Sequence, residues 1–461
     1  MKVTKIINDR NIKNIFFFSL MVFLLSCQNI EKKNMEKTDG FTHVDWSKNA
    51  IIYEVNVRQY TSEGTFAAFE KHLPRLSKMG VDILWLMPIY PVGEKNRKGS
   101  LGSYYSVKDY KAVNPEYGNM DDLKRLVSEA HKLGMHVILD WVANHTSWDN
   151  KMIEEHPEWY TKDSLGNFVS PFDWSDVADL NYDNKALQDY MIGALKFWIE
   201  KADIDGYRCD VAGLVPVEFW DKARAELDKI KPVFMLAEAE EAKHHKNAFD
   251  MSYAWDFHHI MNDIAKGKKN ANDAEDYFIK NDSLFPDGAY RMYFTSNHDE
   301  NSWNGTEYER MGDAAETFAV LSFMIPGMPL IYSGQEAALN KRLAFFDKDT
   351  ICWDNIKLEE FYTNLIKIKK KNKALWNGTY GGKLIRINTS DDKNIFAFIR
   401  EKDDNKVFAI FNFSDKKQNI IFKGDKFTGE YTNAFSGEEV KFSPKKELEL
   451  EPWGYFVFVR K

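Results

Sequence analysis

Between residues 51 and 334 the chain repeats one pattern: a short unbroken apolar run, an amphipathic stretch, then another apolar run. IIYEVNV (51–57) precedes the helical pattern FAAFEKHLPRLSKMG (66–80), and VDILWLMPI (81–89) follows at once. DDLKRLVSEAHKLG (121–134) leads to HVILDWV (136–142), and a helical pattern at 185–202 leads to IDGYRCDV (204–211). VEFWDKARAELDKI (217–230) leads to VFMLAE (233–238), and GDAAETFAVLSFMI (312–325) separates YRMYFTS (290–296) from PLIYSG (329–334). A last helical pattern covers 358–371. Strands buried on both faces read as continuous apolar runs, and strands interleaved with helices imply βαβ units. About eight such units fit an α/β fold of the (β/α)₈ barrel type with loop insertions. A doubly wound open sheet would want a glycine-rich turn after its first strand. Arg58-Gln59-Tyr60-Thr61-Ser62 supplies none.

Past Trp376 the pattern changes. KLIRINT, NIFAFIR, KVFAIFNF, QNIIFKG and YFVFVR are short strands separated by Asp, Asn, Lys and Gly turns, with no helix between them. They predict a C-terminal antiparallel β-sandwich over 376–461, behind a catalytic barrel over 46–375 that carries a short insert at 146–183 after its third strand. The 461 residues carry 62 Lys plus Arg against 70 Asp plus Glu, a net charge of −8. That excludes the basic face that nucleic acid requires.

The first 14 residues are basic, and residues 15–25 (IFFFSLMVFLL) are apolar except for Ser19. This run is shorter than the ~20 residues a membrane-spanning helix needs, so it reads as a secretory signal. Its end, Leu24-Leu25-Ser26-Cys27, resembles the bacterial lipoprotein box, in which the cysteine is lipidated. The expectation is a signal peptide over 1–27, a polar tether over 28–45, and a lipoprotein held through Cys27 on the periplasmic or outer face of a membrane. Gln28 is not the Asp often linked to inner-membrane retention, which points to the outer membrane. Only Cys209 and Cys352 then remain, too few for a disulfide framework or a four-cysteine zinc site. Cys209 reads as a buried small hydrophobe, and a Cys209–Cys352 bridge is left open.

Several apolar runs end in polar or ionisable residues: Asp140, Asn144 and His145; Arg208 and Asp210; Glu238; and Asn297, His298 and Asp299. The carboxyl ends of barrel strands converge on one face, so these side chains are expected to share a pocket. Taken singly, a strand-end Asp often caps the next helix. Taken together, three carboxylates with Arg and His, and no phosphate-binding glycine loop, suit glycoside hydrolysis. Arg208 and Asp210 lie two apart on a strand and point the same way. The guanidinium is expected to keep Asp210 ionised as a nucleophile, and the apolar VFMLA before Glu238 to give that carboxyl a drier setting that retains its proton.

Asp140-x-x-x-Asn144-His145, Gly206-x-Arg208-x-Asp210, Glu238, and Asn297-His298-Asp299 resemble the four signature regions of the α-amylase family, glycoside hydrolase family 13. The segments Tyr105 to Tyr110, Asp179-Leu180-Asn181 and Gly327 to Glu336 resemble three further motifs of that family. The resemblance implies a retaining mechanism with Asp210 as nucleophile, Glu238 as acid/base and Asp299 as transition-state stabiliser. It also implies that Arg208 orients the nucleophile, that Tyr105 stacks on the sugar, and that His145 and His298 contact hydroxyls. Asn144 and Asp179 sit where family members with a structural calcium have ligands. No cofactor is required by the chemistry itself. The insert's aromatics, Trp148, Trp159, Tyr160, Phe172 and Trp174, either stack on sugar or hold the insert together.

Two departures stand out. Asp210 is followed by Val-Ala-Gly-Leu-Val-Pro, where many α-amylases have a Lys-His pair, and Tyr60 to Thr65 lacks the calcium-binding run of Asp residues. Val211 after the nucleophile is similar to α-1,6-specific members. The expected activity is hydrolysis of α-1,4 bonds in starch-type glucans or maltooligosaccharides. The alternatives are an α-glucosidase, a cyclomaltodextrinase, an α-1,6-acting or transglycosylating relative, and, in another class, an inactive glycan-binding protein.

Overall fold

The computed structural model describes residues 42–460. The expected signal peptide, Cys27 and nearly all of the tether lie outside the described residues.

Eight parallel strands close into a barrel: β1 (Ile52–Val55), β2 (Ile83–Leu86), β3 (His136–Val142), β4 (Gly206–Asp210), β5 (Phe234–Ala237), β6 (Met251–Tyr253), β7 (Tyr290–Tyr293) and β8 (Met328–Tyr332). Around the ring each strand neighbours the next in sequence, and β8 closes on β1. Side chains alternate between two environments, as the period of two demands. Tyr53, Leu84, Val137, Leu139, Tyr207, Cys209 and Met235 belong to the apolar layer packed under the helices. Ile52, Ile83, Ile138, Phe234, Leu236, Met251 and Leu330 fill the barrel interior. Going up each strand by two, the interior series turns polar: Ile52 to Glu54, Ile138 to Asp140, Gly206 to Arg208 to Asp210. The strands therefore carry an apolar plug below and charge above, at their carboxyl ends.

The helical stretch at 66–80 is two helices, Phe66–Glu70 and Leu73–Met79, with Pro74 in the first turn of the second. Proline has no N–H to give a continuing helix but is tolerated in a first turn. The helices at Met120–Lys132, Lys185–Ala202, Val217–Leu227 and Glu359–Lys371 fall where the sequence puts them. β6 is new: it is three residues long, and the link from β5 is only the 3₁₀ turn Ala242–His245. Gly206 opens β4 with φ +153°, and a Cβ there would stand 1.8 Å from the Phe234 carbonyl oxygen, so only glycine lets β4 and β5 approach.

The insert after β3 pairs His145–Ser147 with Val177–Asp179 in a small antiparallel sheet. Trp159 is buried and stacks on His156 at 3.9 Å, and the Tyr160 and Thr146 hydroxyls hydrogen-bond at 2.9 Å. These rings hold the insert together. Phe172 is exposed and meets Trp174, which stands edge-on to His145.

The C-terminal region forms a six-stranded antiparallel sheet, ordered Leu384–Ile387, Ile395–Lys402, Asn405–Asn412, Tyr455–Arg460, Gly429–Asn433, Glu439–Phe442. A two-stranded sheet, Gln418–Ile421 with Glu447–Leu450, covers it, and Ile399, Phe408, Phe422, Phe427 and Phe442 fill the layer between. Arg400 locks this domain to the barrel by donating to the carbonyls of Ile325, Gly382 and Trp376. Cys209 is buried and Cys352 exposed, both as free thiols, so the open question of a bridge between them is answered in the negative.

Candidate active site

Arg208 stands at the centre of the barrel mouth with its side chain wholly buried. Nη1 donates to Asp140 Oδ1 and to Asp210 Oδ1, both at 2.9 Å, and Nε donates to the Tyr253 hydroxyl at 3.2 Å. Nη2 forms an ion pair with Glu238 Oε2 at 2.8 Å. Trp85 Nε1 and the Tyr105 hydroxyl complete the shell by donating to Asp140 Oδ2 at 3.1 Å each. One guanidinium thus gathers carboxyls from β3, β4 and the end of β5.

A second chain of hydrogen bonds reaches Asp299. His298 Nδ1 faces Glu54 Oε1 at 2.5 Å, and His298 Nε2 lies 2.7 Å from the Tyr105 hydroxyl and 3.3 Å from Asp299 Oδ2. Because the Tyr105 proton goes to Asp140, Nε2 is the donor in its own contact, and Nδ1 donates to Glu54. Both ring nitrogens therefore carry protons. Burial opposes that charge, but Asp299 and Glu54 outweigh it and raise the His298 pKa to about 9.

Among the described residues, Glu54, Asp140, Asp210, Glu238 and Asp299 pair with no cations but Arg208 and His298. This excess of negative charge suits a cationic, oxocarbenium-like transition state. It also corrects one expectation. Burial pushes the Asp210 carboxyl well above its usual range; Arg208 opposes this, while Glu238, Asp140 and Asp299 add to it. Arg208 alone does not keep Asp210 ionised, because its charge is divided among three carboxyls. Burial likewise raises Asp140, Asp299 and Glu54. The expected dry setting of Glu238 is corrected too: its Oε2 meets Arg208 and accepts the Val211 N–H at 2.8 Å.

Val211 supplies that N–H from a left-handed backbone, φ 36°. A β-branched residue there is strained, and such strain concentrates at functional sites. The sharp turn after β4 aims the amide back across the sheet at Glu238.

Every candidate catalytic and sugar-contacting residue from the sequence lies around this mouth. Tyr105 is parallel to His298 at 5.5 Å. His145 is buried at the edge of the insert, and burial lowers its pKa to about 4, so it is neutral near pH 7. Asn144 and Asp179 do meet: the Asn144 amide donates to Asp179 Oδ1 at 3.2 Å. A calcium site takes six to eight oxygens, of which this pair supplies a part. Among the described residues no three His, Cys, Asp or Glu side chains group as a metal site. Sequence reasoning missed Glu54, Trp85 and Tyr253. The signal for Glu54 was there: it stands two residues from Ile52 and so shares its inward parity.

The family described as "Alpha amylase, catalytic domain" matches residues 37–164 and 150–412. The chain belongs to the α-amylase family. It is a glycoside hydrolase of that family, and residues 385–457 match "Maltogenic Amylase, C-terminal domain". A solved α-amylase from Lactobacillus plantarum superposes with a TM-score of 0.81 at 32% identity, covering 90% of this chain and 100% of that one. The maltogenic α-amylase AmyB from Thermotoga neapolitana gives a TM-score of 0.83 at 30% identity, covering 90% and 99%. Alpha-amylase 2 of Dictyoglomus thermophilum is 27% identical over 446 residues, covering 87% of this chain and 74% of its own. Other family relatives carry the names neopullulanase, cyclomaltodextrinase and trehalose-6-phosphate hydrolase.

The Glu54–His298 pair generates a prediction. A histidine whose folded pKa is raised stabilises the fold fully below its unfolded value, ~6.5, and loses that contribution as pH rises through the folded value. Glu54→Gln is expected to lower the melting temperature most near pH 6, with the deficit shrinking as pH passes about 9. Melting curves at both ends of that window check it; an equal deficit at both would contradict the pairing.

Proposed function

We propose that this glycoside hydrolase cleaves α-1,4 bonds of starch-type glucans with retention of configuration. The observation that supports this best is the single guanidinium of Arg208 spanning Asp210 and Glu238, with Asp299 beside them. Retaining enzymes need two carboxyls roughly 5 Å apart, and two carboxyls sharing one guanidinium are held close.

In the first step an Asp210 carboxylate oxygen attacks the anomeric carbon while Glu238 gives its proton to the glycosidic oxygen, which leaves as a hydroxyl. In the second, Glu238 takes a proton from water, the hydroxide equivalent attacks the anomeric carbon, and Asp210 is released. The first step requires Asp210 to be ionised and the proton to sit on Glu238; of the groups around Asp210, paired Arg208 is the one that favours its ionised form. The Val211 N–H donates to Glu238 Oε2, which leaves Oε1 free of that contact to face the glycosidic oxygen. Tyr105 supplies the face on which the sugar ring rests. Asp299, held by doubly protonated His298, receives sugar hydroxyls and faces the developing positive charge.

Asp210→Asn and Glu238→Gln test the roles separately. Each is expected to lower kcat on maltooligosaccharides by about 10³ or more. With an aryl glycoside whose leaving group needs no proton, Glu238→Gln is expected to recover most of the first step and Asp210→Asn none. Equal losses on both substrates would overturn the assignment.

We also infer attachment to a membrane through lipidated Cys27, supported by the basic start, the apolar run 15–25 and the polar stretch behind it. Cells fed a radiolabelled fatty acid should label the wild-type chain and not Cys27→Ser. Equal labelling of both would remove this inference.

A further inference from the structure

One buried acid at the barrel mouth takes no part in the two steps above. Glu54, from β1, is wholly buried beneath His298 and out of reach of a sugar in the pocket. Asp140, Asp210 and Glu238 each pair with Arg208, whereas Glu54 pairs with His298. Its carboxyl makes one hydrogen bond, through Oε1 to His298 Nδ1 at 2.5 Å; among the described residues Oε2 makes none.

A neutral side chain would serve that one contact. Glutamine can accept from the ring or donate to it, and a neutral imidazole can still donate through Nε2. What a carboxylate adds is charge. Of the groups that face the ring, Glu54, Asp299 and Asp140 favour the imidazolium, and Arg208 opposes it. Tyr105 accepts from Nε2 at 2.7 Å, and Trp85 meets the ring edge-on at 5.9 Å. Glu54 is also faced by Tyr253 of β6 and Tyr332 of β8, whose hydroxyls burial keeps un-ionised.

The imidazolium has one neighbour whose charge matters to the reaction. Asp299 Oδ2 lies 3.3 Å from His298 Nε2. Burial, Glu238 and Glu300 push the Asp299 carboxyl toward its protonated form, as does its influence from the side of Asp210; His298 opposes them most strongly, with Arg208 second. Glu54, His298 and Asp299 thus form a line of alternating charge, negative, positive, negative, that ends at the sugar.

We propose that Glu54 is a positioning residue of the reaction: acting through His298, it keeps Asp299 ionised where positive charge develops on the sugar. Without it, turnover depends on pH across the neutral range. The proposal rests on the role given to Asp299 above and adds the buried group that maintains it.

The test compares Glu54→Gln with the wild-type chain on maltoheptaose at pH 8 and pH 5.5. At pH 8 the wild-type ring, with its pKa at about 9, is charged. On glutamine the ring falls back toward the ordinary ~6.5 and is neutral at pH 8, while at pH 5.5 both rings are charged. At pH 8 the variant is expected to lose at least about tenfold in kcat with KM within about twofold. At pH 5.5 its kcat is expected to return to within about threefold of wild type. The same factor lost at both pH values would mark a packing role and overturn the proposal, as would full turnover at pH 8 or a loss carried by KM. If Glu54→Gln does not fold, Glu54→Asp keeps the charge on a shorter arm. It is expected to hold the wild-type ratio of kcat between the two pH values, and a collapse at pH 8 alone would overturn the proposal. Asp299→Asn separates the two levels of failure. If it abolishes turnover while Glu54→Gln is silent, only the role of Glu54 falls; if it leaves turnover intact, the reading of the site falls with it.

Discussion

The organisation of the mouth depends on one buried cation. Arg208 is held under the site by Asp140, Trp85 and Tyr253, and from there it fixes Asp210 and Glu238. Removing one partner of a buried ion pair generally costs about 3–5 kcal/mol because the other charge is stranded. Here the guanidinium is shared by three carboxyls, so each is neutralised only in part. The outcome is a pocket rich in carboxyls, in which burial pushes Asp210, Asp140, Asp299 and Glu54 above their usual range. Carboxyls gathered this closely suit a cationic, oxocarbenium-like transition state.

The fold supplies this arrangement through strand parity. A barrel strand points every second residue inward, so an apolar plug and a charged mouth are written by the same alternation. Arg208 sits two residues above Gly206, whose missing Cβ lets β4 and β5 come together. That approach brings the end of β4 beside the end of β5, and the left-handed turn at Val211 completes the link by donating to Glu238. A chain that moved any of these residues by one position would send the charge into the apolar layer under the helices.

Much of this was legible in the sequence. Asp210, Glu238, Asp299, Arg208 and His298 stand at the ends of unbroken apolar runs, and a parallel barrel gathers such ends. Glu54 was not read as part of the site because a single acid inside IIYEVNV looks like a strand residue, and only its parity with Ile52 betrays it. Tyr253 was missed because β6 is three residues long and follows a 3₁₀ turn rather than a helix. The division of the Arg208 charge was invisible for another reason: sequence spacing shows the Arg208–Asp210 pair but not the two carboxyls arriving from β3 and β5. In the C-terminal domain five strands were readable as apolar runs. Gly429–Asn433, Glu439–Phe442 and Glu447–Leu450 were not, because polar residues alternate in them with only one or two buried positions and no apolar run forms.

The claim at the centre is that the carboxyl of Asp210, braced by Arg208, becomes covalently joined to sugar. A fluorinated α-maltosyl fluoride slows breakdown of such an adduct enough for the protein to be digested and its peptides weighed. The account predicts one glycosyl mass on the peptide that contains Asp210, with the bond at that side chain. An adduct on Glu238 or Asp299, or no adduct together with products of inverted configuration, would contradict it.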